Sequence, residues 1–197
     1  MSTKKRVFII HGWDGYPEEG WFPWLKKELE SRGFEVFVPQ LPDAVNPRIN
    51  KWVQEITEIA GVPDRQTYFV GHSMGCKAIV SYLQALPEGA AIGGAVFVAG
   101  FFKRLINIEG DPETQETARL WLTAPVDFEK VRSRLQKSVA IFSDDDPWVP
   151  LDNKEDFEKK LGSEIIIEHN KGHFSGLRDK CTELPVALEA ILKISKN

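Results

Sequence analysis

The chain has 197 residues, of which 42% are apolar, 11% aromatic and 27% charged. That composition suffices for the core of one compact domain and excludes a disordered, collagenous or disulfide-scaffold protein. Lys and Arg number 25 against 29 Asp and Glu, a net charge of −4, and the basic residues are scattered, so the positive patch of a nucleic-acid binder is missing.

The N-terminal apolar stretch Val7-Phe8-Ile9-Ile10 is too brief for a signal peptide, and no run approaches the roughly 18 residues of a membrane span. A cytoplasmic location with no membrane association is the expectation. Cys76 and Cys181 form no Cys-x-x-Cys or Cys/His cluster, which predicts reduced thiols, no structural metal and no bound cofactor. Cys76 is expected to be a small buried residue.

Arg6 to Ile10 is the first predicted strand. Trp21, Trp24, Leu25 and Leu29 follow at helical spacing, closed by Gly33. Phe34 to Val38 is a second strand, ended by Pro39 and Pro42. Asn46-Pro47 is predicted to cap and start a helix carrying Trp52, Val53, Ile56 and Ile59, with Gly61 at its end. Thr67 to Val70 is the third strand, and Ala78, Ile79, Tyr82, Leu83 and Leu86 then switch to a helical period as far as Pro87. Gly94 to Ala99, Val139 to Phe142 and Ile165 to Ile167 read as strands four to six, before a last helix from about Thr182 to Ile194. Strands alternating with helices predict an α/β fold with a mainly parallel sheet in one domain over 1–197. Gly100 to Lys137 is longer, with a short helix expected from Asp127, and is the place for a small cap facing substrate.

Chemistry concentrates in three places. Gly71-His72-Ser73-Met74-Gly75 lies between a strand and a helix, where Gly-x-Ser-x-Gly forms a sharp turn that presents the serine hydroxyl. A plain glycine-rich turn is the structural alternative. A serine is a poor nucleophile until an imidazole oriented by a carboxylate takes its proton. Ser143-Asp144-Asp145-Asp146-Pro147 follows strand five and Lys171-Gly172-His173-Phe174 follows strand six, both at strand C-terminal ends where open α/β sheets place their sites. Among four histidines, His11, His72 and His169 are expected to be structural, which leaves His173 as the base. Any of the three aspartates could be the acid. Asp146 is preferred because Pro147 restricts its backbone, with Asp145 next.

The oxyanion donors are expected to be the backbone N–H groups of Met74, after the nucleophile, and of Trp13, in the glycine-rich loop after the first strand. Trp13, Phe101, Phe102, Trp121, Trp148 and Phe174 are the candidate aromatic walls of a small pocket, although each singly could equally be core.

Together, His11-Gly12, Gly71-His72-Ser73-Met74-Gly75, Asp145-Asp146-Pro147 with Val149-Pro150, and Gly172-His173-Phe174 resemble the small α/β-hydrolases grouped with retinoblastoma-binding protein nine and the bacterial YdeN proteins. The resemblance covers nearly the whole chain. It implies a six-stranded parallel sheet, no large lid, a serine hydrolase, and an acid at the aspartate before Pro147. The expected activity is cleavage of small carboxylic esters through an acyl-enzyme on Ser73. Thioesters, acyl transfer to another acceptor, and a non-catalytic protein-interaction module on the same fold are the alternatives.

Overall fold

The computed structural model describes residues 4–196. Among them β1 (Arg6–Ile10), β2 (Glu35–Phe37), β3 (Thr67–His72), β4 (Gly94–Val98), β5 (Ser138–Ser143) and β6 (Glu164–Glu168) form one sheet in the order β2-β1-β3-β4-β5-β6. Every neighbouring pair is parallel. The central strands β1, β3, β4 and β5 are buried almost throughout because helices cover both faces. On β1, Val7 and Ile9 pack with α1 (Phe22–Glu30) and α7 (Pro185–Ile194), whereas Phe8 and Ile10 point into the opposite core. That second core holds residues of α2 (Ile49–Ala60), α3 (Met74–Ala85), α4 (Pro112–Thr123) and α5 (Phe128–Arg134). It also takes Phe157 and Leu161 from a composite helix, α6, that opens as a 3₁₀ turn (Leu151–Asn153), continues through Lys154–Asp156 and ends as a π turn (Phe157–Leu161).

Several boundaries depart from the sequence reading. Helix α2 begins at Ile49, after an extended Arg48, instead of at Pro47, whose carbonyl accepts the Trp121 indole N–H at 2.8 Å. Strand β2 is shorter than expected, β3 runs on to His72, and α7 starts at Pro185 instead of near Thr182. Helices α4 and α6 were not anticipated. The start of α4 carries a legible signal, since the Asp111 carboxylate accepts the Thr114 N–H at 2.8 Å and Pro112 occupies the first turn.

The chain leaves β1 towards β2 on one side and then crosses to β3 on the other. Loops from adjacent strands diverge at this switch point and open a crevice at their C-terminal ends. Gly12-Trp13 after β1 and Ser73 after β3 meet there.

Candidate active site

Ser73 lies at φ +52°, ψ −118° between β3 and α3, a conformation that a side-chain-bearing residue adopts only when its surroundings enforce it. The enforcement is visible. A Cβ on Gly75 would overlap the Ile10 carbonyl oxygen and stand 2.6 Å from that of His11, and one on Gly71 would lie 2.8 Å from the Cys76 nitrogen. Helix α3 is thereby pressed onto β1 and β3, and the chain must turn through Ser73 to enter it. The Ser73 N–H is held by the Val98 carbonyl at 2.9 Å. Gly12 approaches so closely that its Cβ would lie 3.0 Å from that of Ser73, and Trp13, next in the chain, lines the same cleft as Ser73. Among the described residues, neither the Trp13 nor the Met74 N–H donates to a protein acceptor, as oxyanion donors require.

The three consecutive aspartates after β5 separate cleanly. Asp144 Oδ2 pairs with His169 Nδ1 at 2.5 Å on the exposed surface. That contact lowers the Asp144 pKa and raises that of His169. Asp145 Oδ1 accepts the Ser143 hydroxyl at 2.6 Å and the Gly172 N–H at 2.8 Å, contacts that pull its carboxyl below the ordinary range. Asp146 Oδ2 accepts Nδ1–H of His173 at 2.7 Å, and both side chains are shielded, at 2% and 9% exposure. Asp146 Oδ1 accepts the Trp148 and Val149 N–H groups at 2.9 and 3.0 Å, so the loop holds the carboxylate without using the oxygen that faces the imidazole. The Trp148 ring stands edge-on to that of His173, centroids 5.0 Å apart.

Residues 7–186 match the serine hydrolase family. The chain belongs to that family. It is 29% identical to the YdeN protein of Bacillus subtilis (strain 168) over 188 residues, 95% of this chain and 94% of that one. It is 25% identical to serine hydrolase RBBP9 of Rattus norvegicus over 178 residues, 88% and 89% of the two chains. The crystal structure of the ydeN gene product from B. subtilis superposes with a TM-score of 0.87, covering 97% of this chain and 98% of that one. The fold is that of the α/β-hydrolases, and a hydrolytic function with a small-molecule substrate follows from family membership. No described helix is long and apolar enough to cross a membrane.

Other residues position the loop that carries His173, and of these sequence reasoning missed Asp179 and Asn153. One Asp179 carboxylate oxygen accepts both the His173 and the Ser175 N–H groups at 2.9 Å. His72 donates Nε2–H to the His173 carbonyl at 2.7 Å, tying the loop to the residue beside Ser73. Burial, reinforced by the neighbouring His173, pushes the His72 imidazole down to about 3, so it stays neutral and a donor. Fully buried Asn153 accepts the Phe102 and Lys103 N–H groups at 3.0 and 2.9 Å and donates to the Arg104 and Pro150 carbonyls at 2.9 and 3.0 Å. It thereby clamps the loop after β4 to the segment that follows β5. No local pattern marks Asp179 or Asn153, because their partners are backbone groups in loops. His11 has the structural place expected: Nε2 accepts the Leu41 N–H at 3.0 Å and Nδ1–H donates to the Gly12 carbonyl at 2.8 Å. Cys76 is buried, its thiol donating to the Gly71 carbonyl at 3.2 Å, and burial raises its pKa strongly.

Ser73 and His173 open into a cleft of about 820 Å³ whose walls include Trp13, Phe101 and Trp148. The other three proposed wall aromatics lie elsewhere. Trp121 is 1% exposed and packs edge-on against Trp52, centroids 5.0 Å apart, because its helix turns that face to the core. Phe102 packs on Phe128 and Phe157 with the Lys77 ammonium over its ring. Phe174, at φ +58°, swings to the far face of the sheet with Trp21 and Leu184. The β4–β5 segment does reach the cleft, through Leu105, Asn107 and Ile108. It is joined to the loop after β5 by Asn107 Nδ2–H to the Pro147 carbonyl at 2.8 Å and Ile106 N–H to the Trp148 carbonyl at 3.0 Å.

Proposed function

We propose that the protein hydrolyses small carboxylic esters through an acyl-enzyme on Ser73, with His173 as general base and Asp146 as the acid that orients it. The Nδ1–H bond from His173 to Asp146 at 2.7 Å carries the reading, because it fixes the tautomer in which Nε2 is free to take the Ser73 proton. In the forward half-reaction the Ser73 oxygen attacks the carbonyl carbon as its proton passes to His173. The tetrahedral oxyanion is stabilised by the Trp13 and Met74 N–H groups. His173, then imidazolium beside the Asp146 carboxylate, returns the proton to the leaving alkoxide as the C–O bond breaks. Water repeats the sequence on the acyl-enzyme and releases the carboxylic acid.

Trp148 walls the base, and the loop after β4, held by Asn153, lines the cleft through Phe101, Leu105 and Asn107. The test is a panel of esters, thioesters and peptides with wild type and Ser73→Ala. Ester turnover that disappears in Ser73→Ala with an unchanged circular dichroism spectrum is the expected result. Equal turnover in both proteins refutes the assignment.

A further inference from the structure

The cleft is charged in one sense. Five carboxylates line it, those of Asp14, Glu19, Glu109, Asp111 and Glu113, against the single guanidinium of Arg178. Arg178 lies over the Trp148 ring, 4.7 Å from its centroid, and makes no ion pair among the described residues. Asp111 caps α4, which accounts for it structurally.

Glu19 has no such account. It is half-buried in the cleft wall, and its carboxylate has no hydrogen-bond partner among the described residues. Burial raises its pKa, as desolvation does for an acid lacking a donor. A half-buried carboxylate without a donor is unfavourable when ionised, and a substrate cation seated against it offsets that cost. The same loop after β1 adds Trp13 and Tyr16 to the cleft wall. The Trp13 indole N–H donates to the Val45 carbonyl at 2.7 Å, which holds its ring as a fixed wall. Carboxylates beside aromatic faces are the chemistry that recognises ammonium groups.

We propose that this cleft selects esters bearing a positive charge, and that Glu19, with Asp14, seats the substrate's ammonium against Trp13 and Tyr16. The inference rests on the ester-hydrolase reading and names its substrate class. Glu19 is then a specificity-determining residue.

Two isosteric pairs test it. On the acyl side, p-nitrophenyl 4-(trimethylammonio)butyrate is compared with p-nitrophenyl 5,5-dimethylhexanoate. On the alcohol side, butyrylcholine is compared with 3,3-dimethylbutyl butyrate. At least one cationic member should exceed its neutral partner about tenfold in kcat/KM, with the ratio shrinking as salt rises. Glu19→Gln should bring that ratio towards one. Ratios near one for both pairs overturn the proposal. So does a Glu19→Gln variant that slows both members of a pair equally, since the carboxylate would then serve the His173 imidazolium and not the substrate. Absence of turnover with all four esters refutes the ester-hydrolase reading instead. In that case binding of choline against 3,3-dimethylbutan-1-ol to Ser73→Ala still decides the charge preference: tighter choline binding that weakens in the Ser73→Ala, Glu19→Gln protein supports it, and equal binding overturns it.

Discussion

Replacing Asp146 by asparagine separates the acid's chemical role from its structural one. Asp146 uses one oxygen for the Trp148 and Val149 N–H groups and the other for His173. In Asp146→Asn the amide oxygen still accepts both backbone donors, so the loop keeps its shape. The amide NH₂ now faces the imidazole and can only donate to Nδ1. The imidazole proton therefore moves to Nε2, the nitrogen that accepts the Ser73 proton in the proposed mechanism. The wrong tautomer is worth about 10⁴-fold in rate, or about 5.5 kcal/mol of transition-state stabilisation. Thermal stability should stay close to wild type. Asp146→Ala should be equally inactive and also less stable, because two backbone donors lose their acceptor at about 1 kcal/mol each, some 4–8 °C in Tm for a chain of this size. Measurement of kcat/KM on p-nitrophenyl acetate together with melting curves for both variants checks the argument. Activity of Asp146→Asn within tenfold of wild type, or a loss matched by Asp144→Asn or Asp145→Asn, would refute it.

Ser73→Gly should be more stable than Ser73→Ala by about 1 kcal/mol, since glycine relieves the φ of +52° while adding chain entropy to the unfolded state; denaturant titration of the two variants reads the difference. Gly75→Ala should fail to fold, because its Cβ would overlap the Ile10 carbonyl; soluble protein with a wild-type melt would contradict the packing described. His72 is held down to about 3 while an unfolded histidine titrates near 6.5, so the unfolded chain binds the extra proton between those values. Stability from this group is fully present above about pH 6.5 and declines on acidification towards pH 3, by at most about 5 kcal/mol. His72→Gln should show a shallower fall over that window, and identical pH dependence would count against a buried neutral ring. Across p-nitrophenyl esters from acetate to palmitate, kcat/KM should decline beyond about eight acyl carbons; a steady climb would show a longer trough than this cleft provides.

The sheet and the nucleophile turn were legible because each rests on local chemistry. Strands buried on both faces must be apolar throughout, and Gly71, Ser73 and Gly75 mark a backbone that tolerates no Cβ at two of its three positions. The separation of the three aspartates followed less from local pattern than from register. Ser143 pairs with Glu168, so the loops leaving β5 and β6 run side by side and each aspartate meets a different part of the base loop. The pocket was the least legible part. An aromatic residue in a loop or short helix does not announce its face: Trp121 turns inward on a helix that the sequence reading did not foresee, and the positive φ of Phe174 sends its ring through to the other core. Glu19 carried no motif at all, and its importance lies only in what surrounds it.

Covalent capture of the nucleophile tests the central claim most directly. Treatment with a fluorophosphonate, followed by intact mass and peptide mapping, should show one adduct per chain, located on Ser73. It should be absent from Ser73→Ala and formed far more slowly in His173→Ala. An adduct on another residue, or ester hydrolysis that continues while Ser73 stays unmodified, would contradict the account.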